Sequence, residues 1–283
     1  MSQWDAWIGR EQRTTDRLDE GLAKRWLATF DLPLPENAEL PQGIHFALGT
    51  PDAQTRQLGN DGHPARDDSP DSFLPPFPMP RRMWASSAIE FHAPLKIGSV
   101  IERVSRVASI SEKEGSSGKL AFVNVEHKTL ADGASAVLET QTLVYREAAP
   151  CDAPLSPPEI GDDRFDHTPW SSYHVTRPDP RLLFRFSALT FNTHRIHYDA
   201  PYAREVERYR GLVVHGPLTA SLLLQFAARE LGENALTHFA FRGVSPAIID
   251  EALILALRQS DNGWELGAFA GDGRQVMKAS AAT

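Results

Sequence analysis

The chain has 283 residues, 41% of them hydrophobic and 23% charged, with a formal net charge of −8. That is enough apolar material for one large core or two smaller ones, and it excludes a disordered chain. The acidic balance argues against a nucleic-acid surface, and apolar runs such as 212–214 and 222–224 fall far short of the ~18 residues that span a bilayer.

The first ten residues carry Asp5 and no apolar stretch, so no signal peptide is expected. Thr15 is a candidate N-cap for a helix with Leu18, Leu22, Trp26 and Leu27 on one stripe, stopped by Pro33 and Pro35. An irregular stretch over 50–80 holds Gly59-Asn60-Asp61-Gly62-His63-Pro64 and a proline-rich run at 75–80; loops of that length are functional or disordered. Strands are expected over 87–92, 99–111, 119–130 and 134–146, with turns at 112–118 and at Asp132-Gly133.

Residues 148–180 carry prolines at 150, 154, 157, 158, 169, 178 and 180 and read as a connection. The expected organisation is 1–150, a connection over 151–180, and 181–283. Cys151, the single cysteine, excludes an intramolecular disulfide and a Cys-rich zinc site. In the second half, 184–190 reads as a strand or lead-in and 198–209 as a short helical piece. His215-Gly216-Pro217 opens a longer helix with Leu218, Leu222, Leu223, Phe226 and Ala227 on one stripe, because Pro fits the first helical turn. Leu231-Gly232 ends it, and strands follow over 238–244, 251–258, 264–270 and 275–281. The fold class is therefore α+β: two halves, each a central helix wrapped by a curved antiparallel sheet.

The densest chemical signal lies at 189–199, where His194 and His197 stand with Asn192, Arg195 and Asp199. A metal would need Asp199 as a fourth ligand beside His194, His197 and His215, so no metal is expected. A neutral histidine beside an amide or carboxylate can hold a water, take its proton and return it to carbon. His215-Gly216 sits at a helix start, where backbone N–H groups lack partners, and the Gly216 N–H suits an oxyanion. The structural alternatives are polar histidines at a junction and a glycine kept for close packing. Arg204, Arg208 and Arg210 alternate with Glu205 and Glu207, either as phosphate contacts or as a solvated helix face. Arg195, between the two histidines, and Arg82, in Arg81-Arg82-Met83-Trp84, are further candidates for substrate contact.

The run Phe186-Ser187-Ala188-Leu189-Thr190-Phe191-Asn192-Thr193-His194-Arg195-Ile196-His197-Tyr198-Asp199, followed by Val214-His215-Gly216-Pro217-Leu218-Thr219-Ala220, resembles the MaoC-like hydratase/dehydratase family of the hotdog fold. Asp61-Gly62-His63-Pro64, residues 80–85 and Tyr145-Arg146 resemble the family's catalytically silent first repeat. The resemblance covers nearly the whole chain and is strongest to the mesaconyl-CoA and itaconyl-CoA hydratase branch and to 3-hydroxyacyl-thioester dehydratases.

It implies a double hotdog with a non-catalytic first half and one active site in the second. It implies a hydro-lyase that adds water reversibly to a short enoyl-CoA, a branched diacid thioester in this branch, without cofactor. A cytoplasmic homodimer is expected, with an acyl-CoA as its partner. The family carries an Asp five residues before its catalytic His, with an Asn between; here those positions are Asn192 and His194. The resemblance therefore implies His197 for proton transfer, Asn192 for holding water, Gly216 for the oxyanion, Asp199 as orienting carboxylate and His194 as the alternative base. Substrate contacts fall to Arg195, His215, Arg204, Arg208 and Arg82. Three other readings fit the fold, since fold does not fix chemistry. They are a dehydratase of broader chain length, a hotdog thioesterase and a non-catalytic acyl-CoA-binding protein.

Overall fold

The computed structural model describes residues 3–115 and 118–283. In the first half, β1 (Glu11–Arg17) leads directly into α1 (Glu20–Thr29), and β2 (Arg81–Phe91), β3 (Val100–Gly115), β4 (Gly118–Ala131) and β5 (Ala134–Arg146) follow. The second half holds β6 (Ser172–Thr176), α2 (Pro180–Leu189), α3 (Ala200–Glu205) and α4 (Gly216–Leu231), then β7 (His238–Gly243), β8 (Leu253–Ser260), β9 (Gly263–Ala270) and β10 (Gln275–Ala282). No helix among the described residues is long and apolar enough to cross a membrane.

The strands form one ten-stranded antiparallel sheet in the order β1-β3-β4-β5-β2-β7-β10-β9-β8-β6. The halves join where β2 pairs with β7, from Ser86 opposite Arg242 to Glu90 opposite His238. β2 is longer than this seam. A register shift between Trp84 and Ser86 lets its first residues run past β7 toward the second half's helices. The two halves are thus two hotdog repeats sharing one continuous sheet.

Burial follows the same continuity. Leu18, Trp26 and Ile44 of the first half lie in one apolar cluster with Phe186, Leu218, Leu223, Phe226 and Phe239 of the second. α1 lies against α2, with the Trp26 and Phe186 rings 6.3 Å apart.

Two local expectations change. Thr15 is not a helix cap: it lies in β1 opposite Glu102, and Asp19 caps α1 by accepting from the Leu22 N–H at 2.6 Å. Asp is at least as good a cap as Thr, and it stands one residue before the helix. Residues 184–190 are not a strand but the body of α2. Asp179 caps it, Pro180 opens it, and Leu183, Phe186 and Leu189 recur at helical spacing on the buried face. Within 151–180, Ser172–Thr176 pairs with β8 as an edge strand. Of the turn expected over 112–118, residues 112–115 lie in β3 and Gly118 in β4, with Gly115 opposite Gly118; positions 116 and 117 lie outside the described residues.

The overhang of β2 is anchored by charge. Arg81 Nε lies 2.7 Å from Glu207 Oε2, with side-chain exposures of only 8% and 11%. Breaking a buried pair by removing one partner leaves an uncompensated charge and costs about 3–5 kcal/mol. Arg81→Met should therefore lower unfolding free energy strongly in denaturant titrations. The double variant Arg81→Met/Glu207→Leu should lose clearly less than the sum of the two single changes. Additive losses would show that the pair is not coupled.

Candidate active site

The site begins where α2 stops. Phe191 takes a positive φ of 49°, turning the chain, and the Asn192 N–H bonds back to the Ser187 carbonyl at 2.9 Å. The Asn192 side chain then accepts from the His194 N–H at 2.9 Å through Oδ1, so the amide group is directed and its NH2 remains for another acceptor. One tight turn, Arg195–His197, follows.

His197 ends that turn. Its Nδ1 stands 2.7 Å from the Val213 carbonyl. A carbonyl can only accept, so Nδ1 carries the proton and Nε2 is left with its lone pair. The bond is braced from the other side, since the Val213 N–H donates to the Ile196 carbonyl at 3.0 Å. His197 is buried, and desolvation lowers its pKa to about 4 against the opposing Val213 bond. Its ring stacks on His215, with centroids 3.5 Å apart at 17°. His215 is buried, bonded through Nε2 to Ser187 Oγ at 2.8 Å, and pushed well below its ordinary pKa by burial and then by His197. Both rings are neutral at pH 7.

His215 also precedes α4. The Gly216 N–H belongs to the first helical turn, beyond reach of its own helix's carbonyls. A methyl group placed on Gly216 would approach only the Trp84 carbonyl, at 4.0 Å, so there is room for a ligand atom beside it.

A loop of the first half closes the other side. Thr193 Oγ1 donates to the Gly62 carbonyl, the Arg195 N–H to the Asp61 carbonyl at 2.8 Å, and Arg195 Nη1 to the Asn60 carbonyl at 2.9 Å. Gly62 has φ +88°, and a Cβ there would lie 1.9 Å from the Thr193 carbonyl oxygen; no other residue fits. The loop lays the His63 ring against His194, centroids 4.0 Å apart, and His194 lies 5.5 Å from His197. Asp61 Oδ2 holds His63 Nδ1 at 2.9 Å. His194 is pushed down in pKa, chiefly by desolvation and then by His63. The donor atoms of Asp61, His63 and His194 lie within 4.8 Å of one another, a set chemically able to hold a divalent ion.

The structure thus gathers His194, His197, His215, Asn192 and Gly216. Arg82 joins them: it is half-buried, shares a hydrogen bond with Tyr145 and contributes to the lowered pKa of His194. Other expected residues are engaged elsewhere. Asp199 caps α3 through the Tyr202 N–H at 3.1 Å and pairs with Arg195 at 2.7 Å, so the group orienting His197 is the Val213 carbonyl, not Asp199. Arg195 also lies over the Tyr202 ring, 4.0 Å from its centroid, and is not free for a substrate carboxylate. Arg208 donates twice to the Ala153 carbonyl, and Arg210 pairs with Glu251 and reaches the Pro157 and Pro158 carbonyls. Those two arginines tie the connection to the second half, while Arg204 is exposed on α3.

The sequence profile of hydroxyacyl-thioester dehydratase type 2 matches residues 43–249. The chain belongs to the hydroxyacyl-thioester dehydratase type 2 family. A mesaconyl-C(4)-CoA hydratase of Chloroflexus aurantiacus is 40% identical over 290 residues, spanning 99% of this chain and 97% of that one. A mitochondrial hydroxyacyl-thioester dehydratase type 2 of Schizosaccharomyces pombe is 26% identical, covering 80% of both chains. A crystal structure of a MaoC-like dehydratase from Phytophthora capsici superposes with a TM-score of 0.73 at 13% identity, covering 99% of this chain and 97% of the other; that likeness shows the fold. The enzyme is an acyl-CoA hydratase/dehydratase of the MaoC-like hotdog type.

Its histidines make a stability prediction. His45, His127, His194, His197 and His215 are all held below their ordinary value, with desolvation the leading cause. The unfolded chain releases them to protonate near the ordinary value of about 6.5, so below that pH it binds more protons than the folded enzyme. Folded-state stability is then full above about pH 6.5 and falls as acid is added, before the carboxylates titrate. Melting temperature should decline steadily between about pH 6.5 and 5. A flat profile across that window would contradict the buried, neutral rings.

Proposed function

We propose that this enzyme reversibly adds water to the double bond of a short, branched diacid enoyl-CoA of the mesaconyl-CoA or itaconyl-CoA type. The observation that carries the reading is His197, a buried neutral imidazole whose Nδ1–H is spent on a carbonyl and whose Nε2 is free to take a proton. The full-length 40% identity to a mesaconyl-C(4)-CoA hydratase supports the substrate class.

In this reading the amide of Asn192 donates to a water oxygen and His197 Nε2 removes one of its protons as the oxygen bonds to the β-carbon. The π-electrons of the double bond move toward the thioester, whose oxygen accepts from the Gly216 N–H at the start of α4. That donor and the helix dipole are set before charge develops, where they lower the barrier most. A proton then reaches the α-carbon, and the thioester stays intact. His215, stacked on His197, keeps the base from turning. The second carboxylate of a diacid substrate needs a cation, and Arg82, whose charge acts on His194 and which no described contact ties to a carboxylate, is the candidate.

The dehydratase direction on a wider range of 3-hydroxyacyl thioesters is the second reading, favoured by the family profile and the relative at 26% identity. The same proposal takes the enzyme as a cytoplasmic homodimer. Cys151, unbridged and exposed, suits a reducing compartment, and Phe184 and Phe191, 71% and 60% exposed, offer an apolar subunit face on and beside α2.

His197→Ala should lower turnover by ~10²-fold or more while the protein stays folded, the usual range for a positioned proton-transfer group. Arg82→Met should weaken kcat/KM for mesaconyl-CoA by ~10²-fold and leave crotonyl-CoA within a few-fold, because only the diacid leaves a charge unpaired. Equal losses on both substrates would remove Arg82 from the carboxylate role. A preference of the unmodified enzyme for crotonyl-CoA would move the reading to neutral acyl chains.

A further inference from the structure

Two histidines of this site are fixed in the same way by different acceptors. His197 gives its Nδ1–H to a carbonyl, and His63 stands with Nδ1 2.9 Å from the Asp61 carboxylate. In both rings Nε2 is left for chemistry. A neutral carbonyl orients the ring without favouring a charge on it. A carboxylate orients it and also places a negative charge opposite the ring. Exposure differs in the same sense: His197 is 7% exposed, whereas the His63 and Asp61 side chains are 22% and 26% exposed. The site therefore holds two imidazoles oriented through Nδ1, one by a neutral carbonyl and one by a carboxylate.

We propose that Asp61 and His63, on the loop of the half expected to be silent, form a second acid–base dyad of the active site. His63 is a catalytic residue that donates the α-proton, and Asp61 is the residue that positions it. The proposal rests on the hydratase reading above and adds a division of labour to it. His197 takes a proton from water as the C–O bond forms at the β-carbon. The His63 imidazolium gives its Nε2 proton to the α-carbon as the enolate collapses. One proton is gained and one lost, so the dyad is reset when His197 passes its proton along His194, whose ring lies 5.5 Å from His197 and 4.0 Å from His63. The product holds one OH and one H, and nothing else is consumed.

The loop is held as a catalytic element would be. Three hydrogen bonds run from residues 193–195 onto 60–62, and the steric limit at Gly62 permits no slack. It is also closed within itself, with the Gly59 N–H on the His63 carbonyl at 2.8 Å. Asp61 is thereby a fixed carboxylate next to the histidine group. The charged and titratable groups around His63 are Asp61 on its own loop, His194 and His197 from the second half, and Arg82 beyond His194.

The test compares the full-length enzyme with His63→Ala, His63→Gln and Asp61→Asn, using mesaconyl-CoA and crotonyl-CoA and recording kcat, KM and the pH dependence of kcat. His63→Ala should lose ~10²-fold in kcat with little change in KM, and added imidazole should restore part of it. Asp61→Asn should lower kcat with KM little changed, because His63 loses the acceptor that aims its ring. His63→Gln keeps the ring's approximate volume and should be as slow as His63→Ala. Variants that melt earlier yet keep kcat within about threefold, with unmoved pH limbs, would overturn the dyad and leave a structural loop. In that case a loss in His197→Ala alone keeps the hydratase reading intact. Loss of activity on dialysis against a chelator, restored by zinc, would also overturn the dyad, by making Asp61, His63 and His194 metal ligands. No hydration of either thioester by the unmodified enzyme would sink both readings together.

Discussion

The 2.7 Å contact between His197 Nδ1 and the Val213 carbonyl is the interaction on which the rest of the site depends. It fixes the tautomer, aims Nε2 and holds the ring where water scarcely reaches. Its strength comes from reciprocity, since the Val213 N–H returns to the Ile196 carbonyl, and Val213 itself bridges to Ile248. The Val214 N–H goes on to the Ala247 carbonyl before α4 begins two residues later. The segment that orients His197 is thus the same one that sets the start of α4, and with it the Gly216 N–H. The proposed base and the proposed oxyanion donor, placed by one stretch of chain, keep their separation without any further device.

The continuous sheet lets residues of both repeats meet at the candidate site. The seam between β2 and β7 stops at Ser86, so Arg81, Arg82 and Trp84 project from the first half into the second. Arg81 is held there by Glu207, Trp84 lies beside Gly216, and Trp84 Nε1 donates to Ser87, which donates to the buried Glu139. Glu139 is pushed up in pKa by burial, opposed by Arg103 and Ser87. The first half is therefore braced internally by a polar network while it presents one strand end and one loop to the second half.

Much of this was legible in sequence where signals are local. Alternating apolar residues and turn residues place β3, β4, β5 and β7–β10 to within a few positions, and His215-Gly216-Pro217 marks the start of α4. α2 is not evident in sequence because its apolar residues at 183, 186 and 189 span less than two helical turns, and the short run Phe184–Thr190 suits a strand equally well. Apart from Arg82, the expected site residues that came together lie within about twenty-five positions of one another, from Asn192 to Gly216. Arg195, Arg208 and Asp199 went elsewhere because a charge in a sequence does not name its partner, and each found a nearer one than a substrate. Asp61 and His63 stand out as a polar pair in a glycine-rich loop, but nothing local ties that loop to residues 193–195. The link is a fit of backbone against backbone at Gly62, which appears only once the chain is folded.

The central claim is that this site directs water to the β-carbon and leaves the thioester whole. The most direct measurement is the product formed from mesaconyl-CoA in D2O, followed by NMR together with a free-thiol assay. The account predicts a hydroxyacyl-CoA with a single deuteron on the α-carbon and no release of CoA thiol at the rate of substrate loss. Free thiol appearing in step with substrate loss, with the double bond intact in the released acid, would contradict it.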